Sequence, residues 1–418
     1  MSDGQEPGAP GSMDEFRRGW PVLVLGFIGI YCMNLLTYPT SVLVKPIGEA
    51  WGWSRAETTA LVSFASVITL LVGPWVGTML RRVGAIRTAL GGSLGMAAGM
   101  VAIGHAGPSL PLWYAAWTFF AIAQQFGTVI VWSYAASVLF VRHRGLALSI
   151  VISASALAAA TMPAMTLWLH ARFGIGGAYT AYGAMVLVLN LPLLFVRLPL
   201  LDGKAKTSAR EGPAPADLTG LSLRQAVRTR RFWLLTPGLM VVAGVVASVV
   251  FHAHALMTDA GLSLATATWV MSLLGPALLV GRLATGVLLD HLPAWGISLL
   301  VVISPLVTCL IFATFTGSVA LAGVAVVCCG FAAGAEGDVL AYFAGRHFGL
   351  AHYGAIYGLM LGLFGIGFGS FPPLAGHVFD LTGSYAAAFG VFGVLLVGAA
   401  ALLLAAGDYP PEYGRDRH

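Results

Sequence analysis

The stretch RHRGLA at residues 142–147 recurs as RHFGLA at residues 346–351, with one letter changed. A weaker match pairs GPWVGTMLRRVG at 73–84 with GRLATGVLLDHLP at 281–293, at nearly the same spacing. Two matches at nearly one spacing indicate parallel structural repeats. In membrane carriers, repeats of this kind place the substrate site near the bilayer midplane, between the two halves.

Apolar segments surround both copies. The 418 residues are 58% hydrophobic and 9% charged, with a mean hydropathy of +0.85, whereas soluble domains have about 25% charged residues. Segments long enough to cross a bilayer as helices lie at 20–44, 55–78, 86–106, 110–138, 145–170, 176–198, 231–257, 265–289, 295–316, 319–345, 352–376 and 384–406. The sequence therefore predicts an all-α membrane protein with twelve transmembrane helices in two pseudo-symmetric six-helix halves.

Charge and proline content divide the chain. The segment between the sixth and seventh spans carries Pro213, Pro215 and a concentration of basic residues, which is typical of a linker. The predicted organisation is a disordered cytoplasmic tail at 1–19, an N-terminal six-helix bundle at 20–198, a cytoplasmic linker at 199–230, a C-terminal six-helix bundle at 231–406 and a cytoplasmic tail at 407–418.

Basic residues predict the orientation. With both termini in the cytoplasm, most of the 22 Lys and Arg residues fall inside, and only Lys45, Arg55 and Arg172 fall outside, as the positive-inside rule requires. The net charge of +5 is explained by these inner loops, so no nucleic-acid partner is expected. Arginine outnumbers lysine, which favours a bacterial inner (cytoplasmic) membrane.

Several classes of site are absent from the sequence. All four cysteines, Cys32, Cys309, Cys328 and Cys329, lie within predicted spans without metal-ligand spacing. We therefore expect no metal and no cofactor. No HExxH motif occurs, so an enzyme is disfavoured. A receptor without transport remains an alternative, and we expect a monomer.

Arg282 is the one Lys or Arg residue that lies away from the ends of a predicted span, in LLGPALLVGRLATGVLLD at 273–290. A charge at mid-helix costs at least about 2.5–3.5 kcal/mol on insertion scales and marks a functional position when a partner exists. An anionic substrate is such a partner.

The chain resembles the major facilitator superfamily and, within that superfamily, the monocarboxylate and oxalate/formate carrier branch. The resemblance rests on WGWSRAE at 51–57, RHRGLALSIVISASA at 142–156, Arg282 before Gly286, and the long stretch from Tyr353 to Tyr385. It implies the major facilitator fold, alternating access, and a role for Arg282 in binding the substrate carboxylate. Oxalate carriers have lysine where Phe364 stands, so one carboxylate is expected.

The same resemblance implies a charged inner gate. The superfamily usually has an acid where this chain has Arg81, although Asp290 occupies the equivalent place in the second half. The gate residues are therefore predicted to be Arg81, Asp290, Arg142 and Arg346, with altered charge pairing.

Two acids, Glu336 and Asp338, lie at a similar depth to Arg282. Positions two apart on a helix point about 200° away from each other, so only one is expected to face Arg282. Protonation of that acid would free Arg282 for a substrate carboxylate, which predicts proton symport. The alternative is an ion pair that only fixes helix packing.

Aromatic and amide side chains could line the rest of a pocket. Tyr31, Asn34 and Tyr38 recur on one helical face, and subtracting the repeat spacing from the two acids gives Trp132 and Tyr134. The predicted substrate-binding set is Arg282, Tyr31, Asn34, Tyr38, Gln124, Trp132, Tyr134, Tyr353 and Tyr357. For each aromatic residue, packing or an interfacial belt is the alternative.

His252 lies near the outer end of the seventh span and is a candidate for a titrating gate or proton-coupling residue. The alternative is an interfacial histidine.

Together these features predict a secondary transporter of a small monocarboxylate with proton symport. An exporter of a drug or other metabolite is the alternative.

Overall fold

A computed structural model describes residues 12–127, 131–132, 135, 140, 144–195 and 220–410. Within these ranges all long elements are helices. The α-helices are α1 Ser12–Met33, α2 Tyr38–Trp51, α3 Arg55–Thr59, α4 Leu61–Val83, α5 Ala85–His105, α6 Leu110–Gln125, α7 Arg144–Ile152, α8 Ala154–Asn190, α9 Leu223–Ala226, α10 Arg230–Asp259, α11 Leu264–Ser272, α12 Leu274–His291, α13 Ala294–Ala313, α14 Val319–Phe348, α15 Tyr353–Thr382 and α16 Ala386–Ala405.

The predicted number of spans agrees with the structure. Ten segments of the described chain are long and apolar enough to cross a membrane. One of them, Leu146–Asn190, contains Gly174 with φ 68° and ψ −173°, a conformation that separates two helices. Adding this division and the apolar helix α6 gives twelve spans, so the all-α fold with twelve transmembrane helices is confirmed.

The first span is broken, contrary to the continuous helix predicted for 20–44. Helix α1 ends at Met33, a 3-10 turn covers Asn34–Leu36, and α2 starts at Tyr38. Pro39 in the first turn of α2 has no N–H for a helical hydrogen bond and suits a helix start. Tyr31 thus lies before the 3-10 turn, Asn34 within it and Tyr38 after it.

Two segment boundaries differ from the prediction. Helix α1 begins at Ser12, inside the segment 1–19 that was predicted to be disordered, and the ring of Phe16 packs on Phe140 at 5.3 Å. Residues 220–230, predicted as linker, join the C-terminal helices, since Leu221 N donates to Phe348 O at 2.8 Å. Residues 199–219 lie outside the described ranges.

Described residues of the N-terminal half (residues 12–195) and of the C-terminal half (residues 220–410) contact each other at one end of the bundle. We call this the closed end and define it by Lys45, Arg55, Asp259 and Asp380. There α3 and α4 pack on α15, and α2 packs on α10. Arg346 lies at the opposite end of the bundle.

Candidate functional site

Close contact between helices α12 and α14 positions the central site. A Cβ on Gly334 would overlap Leu278 O and lie 2.7 Å from Arg282 N, and a Cβ on Gly281 would overlap Phe331 O. The two glycines therefore let the helix backbones approach closely. As a result, Arg282 on α12 lies beside the two acids on α14.

Arg282 and Asp338 form a loose ion pair. Arg282 Nε lies 3.6 Å from Asp338 Oδ2, and the two side chains are 30% and 39% exposed. Arg282 Nε and Nη1 are themselves buried, and neither donates a hydrogen bond within the described part of the chain. A guanidinium has five N–H donors that suit a carboxylate. Arg282 thus has N–H donors that form no hydrogen bond with Asp338.

Glu336 lies on the same helix but is far more enclosed. Its side chain is 7% exposed, its Oε2 atom accepts no hydrogen bond from any described residue, and it interacts electrostatically with Arg282. Asp338 is therefore the acid in direct contact with Arg282. A second acid stands within the electrostatic range of the same cation, which the helical-wheel argument did not predict.

Two tyrosines extend the site along α15. The rings of Tyr353 and Tyr357 stack with centroids 5.4 Å apart and planes 4° apart, and Tyr357 interacts electrostatically with Asp338. Both rings are partly exposed. They form an aromatic surface next to the Arg282–Asp338 pair.

The N-terminal half brings one of its predicted residues close to Arg282. Tyr38, the first residue of α2, is buried and interacts electrostatically with Arg282. Tyr31 Oη instead lies 2.9 Å from Thr161 Oγ1, and Asn34 donates to Ile30 O at 2.8 Å. Gln124 donates to Met33 O, a carbonyl at the end of α1. Asn34 and Gln124 thus satisfy backbone groups at the break.

The other predicted residues lie away from the central site or outside the described ranges. Trp132 is buried against α1, where a Cβ on Gly29 would overlap its indole, so it packs in the core. Arg346 lies over the rings of Tyr342 and Tyr409 at 5.5 and 4.9 Å. The structure does not describe Tyr134, Arg142 or the side chains of Arg81 and Asp290.

Charged side chains join the two halves at the closed end. Asp259 Oδ1 lies 2.8 Å from Lys45 Nζ, and its Oδ2 lies 2.8 Å from Arg55 Nη2. Asp380 accepts hydrogen bonds from the backbone N–H groups of Arg55 and Ala56, at 2.9 and 3.0 Å. A carboxylate of the C-terminal half thus caps the start of α3 in the N-terminal half, a favourable place for negative charge.

His252 belongs to the same end and is fully buried. Its Nε2 lies 2.8 Å from Pro372 O and its Nδ1 lies 3.0 Å from Tyr385 Oη. Because a carbonyl only accepts, Nε2 carries the proton and Nδ1 accepts from Tyr385. Arg55 Nη1 donates to Tyr385 Oη at 3.0 Å, and burial raises the pKa of Tyr385. His252 is therefore a core residue and not an interfacial one.

The sequence did not single out the closed-end contacts. Lys45 and Arg55 appeared only as outward-facing charges, and Asp259, Asp380 and Tyr385 were not among the candidate site residues. The available signal was Ser54, which with Glu57 forms a capping box at the start of α3 and so fixes Arg55 at a helix N-terminus.

The comparisons with known proteins agree on the class of protein. A transporter from Aspergillus terreus, MFS-type transporter pytF, is 23% identical over 299 residues, 69% of this chain and 95% of that protein. The nucleoside transporter NupG superposes with a TM-score of 0.74 at 13% identity, covering 93% of this chain and 98% of that one.

A bacterial homologue of the human lysosomal transporter Spinster, inward-facing and occupied, has a TM-score of 0.76 at 15% identity, covering 98% of this chain and 100% of that one. These neighbours are transporters with the same fold. Residues 23–368 match the Major Facilitator Superfamily. The chain belongs to the Major Facilitator Superfamily.

Proposed function

We propose that this transporter moves a small monocarboxylate by alternating access, with proton symport. The observation that carries the proposal is the pair of Arg282 donors, Nε and Nη1, which are buried and hydrogen-bonded to no described residue beside an acid 3.6 Å away. A buried donor without an acceptor is costly. A carboxylate in bidentate contact with the guanidinium would satisfy both donors.

Proton coupling follows from competition for Arg282. While Asp338 is ionised, it attracts the guanidinium and repels a substrate anion. Protonation of Asp338 removes that charge, so that Arg282 interacts with the substrate instead. Glu336, enclosed and within range of the same cation, adds a second position for the proton. Proton and anion then bind together, which is the requirement for symport.

The single intramembrane arginine favours a substrate with one carboxylate. At the position where oxalate carriers have lysine, this chain has Phe364, so no second cation is supplied there. Tyr353 and Tyr357 offer an aromatic face for the substrate body. We further propose that the chain works as a monomer in a bacterial inner membrane, with cytoplasmic termini and the closed end outside.

Counterflow in proteoliposomes tests this function. Vesicles preloaded with an unlabelled compound are assayed for uptake of its radiolabelled form, with acetate, propionate, pyruvate and benzoate as monocarboxylates. Oxalate and succinate test whether a substrate with two carboxylates is also exchanged. Uridine tests a neutral nucleoside, because one structural neighbour is a nucleoside transporter. We expect exchange of a monocarboxylate that Arg282→Ala reduces by at least about tenfold, roughly 1.4 kcal/mol.

The matched control is Arg172→Ala, since Arg172 is exposed and lies over the Trp168 ring, 5.5 Å from its centroid. This variant should transport at the wild-type rate. Arg282→Lys keeps the charge but loses the planar pair of donors, so it should transport poorly. Exchange of uridine without exchange of any acid would contradict the proposal.

A further inference from the structure

A cavity of about 560 Å³ lies at the closed end, between α2 and α8 of one half and α10 and α11 of the other. This volume falls in the range of small-molecule sites. Its polar lining consists of Lys45, Glu49, His170, His254 and Thr258. None of these residues belongs to the central site around Arg282.

Lys45 supplies the positive charge of this cavity. Its Nζ lies 2.8 Å from Asp259 Oδ1, and its side chain is 29% exposed. Asp259 also binds Arg55 at 2.8 Å. Since Arg55 would remain with Asp259, Lys45 can turn toward a ligand without leaving that carboxylate unpaired.

Two histidines also line the cavity, although the N–H of His254 is already donated to Thr268. Thr268 donates its hydroxyl hydrogen to Leu264 O, so its oxygen accepts from His254 Nε2 at 2.9 Å, and His254 Nε2 carries a proton. His170 Nδ1 is buried and bonds to no described residue. Among the lining residues, Glu49 carries a negative charge that would repel an anion. Its side chain is exposed, so water and salt screen this charge.

We propose that this cavity is a second carboxylate site, in which Lys45 binds the substrate before the central site opens to that side. The inference rests on the proposed function, because the same anion occupies both sites. A carboxylate on Lys45 competes with Asp259, so its binding weakens an ion pair that joins the two halves. The substrate would thereby promote opening of the closed end.

Binding stoichiometry of the purified full-length chain tests the second site. Radiolabelled propionate and benzoate are titrated in a scintillation proximity assay, with propionamide as the uncharged competitor. We expect two sites per chain in the wild type, one in Arg282→Ala, one in Lys45→Gln and none in the double variant. Glu49→Gln should tighten binding at the site that remains in Arg282→Ala.

Lys45→Arg keeps the charge and should retain both sites, and an unchanged melting temperature shows that each variant is folded. If Arg282→Ala abolishes all binding while the wild type binds, the second site is excluded and the proposed function stands. The same holds if Lys45→Gln leaves the stoichiometry unchanged. If the wild type binds neither acid, the proposed function fails, and this inference fails with it.

Discussion

Arg282 differs from Arg55 and Arg172 in how its guanidinium group is paired. Arg55 has two hydrogen bonds to side chains of the C-terminal half, and Arg172 lies over an aromatic ring. Arg282 faces one carboxylate at a distance longer than a hydrogen bond. An arrangement that served stability alone would fill the guanidinium donors, because an unfilled buried donor is destabilising.

Neutralising Asp338 should separate exchange from proton coupling. In Asp338→Asn the carboxylate that competes for Arg282 is lost permanently. Counterflow of the acid should therefore continue, while uptake driven by an imposed pH gradient should fall at least about tenfold. Asp408→Asn, at an exposed acid, is the control and should keep both activities. Undiminished pH-driven uptake by Asp338→Asn and by Glu336→Gln would remove these acids from the coupling mechanism.

At the scale of helices, the contact between α12 and α14 sets the geometry of the site. Gly334→Ala would place a methyl group against Leu278 O and Arg282 N, and overpacking of this kind costs about 1–3 kcal/mol. We expect a lower melting temperature and weaker binding of the acid. Gly337→Ala is the matched control, because a Cβ there meets nothing within 4 Å. Equal behaviour of the two variants would show that the contact is dispensable.

Helix α15 connects the halves through a carbonyl that a proline leaves free. Pro373 has no N–H to donate to Gly369 O, and Ser63 of the N-terminal half donates to that oxygen at 2.6 Å. Ser63→Ala should destabilise the closed end by about 1 kcal/mol and raise the rate of opening. Exchange rates under saturating substrate would measure this change, with Ser370→Ala, whose hydroxyl bonds within its own helix, as the control.

Helix boundaries show what local sequence could predict. The predicted span 231–257 corresponds to α10, Arg230–Asp259, and 319–345 corresponds to α14, Val319–Phe348. Hydrophobic length determines such spans almost alone. The break after Met33 escaped the prediction, since the residues on both sides remain apolar and only Pro39 signals it.

At the scale of the whole molecule, Asp259 holds two cations of the opposite half. Asp259→Asn should weaken both ion pairs and shift the population toward a state open at this end. Spin labels at Ala50→Cys and Ser263→Cys, both exposed positions near the cavity, should report longer distances. Glu49→Gln serves as the charge-matched control. An unchanged distance distribution would show that backbone packing alone keeps this end closed.

The sequence by itself determined the membrane class, the twelve spans, the duplicated halves and the depth at which Arg282, Glu336 and Asp338 lie. Each of these depends on hydrophobic length or on spacing along one chain. Only the tertiary structure decided that Asp338 pairs with Arg282, that Tyr38 approaches from the other half, and that Trp132 packs in the core. Those outcomes depend on the rotation and register of the helices. Close contacts between helices, such as Gly334 against α12, determine both, and the local sequence does not encode them.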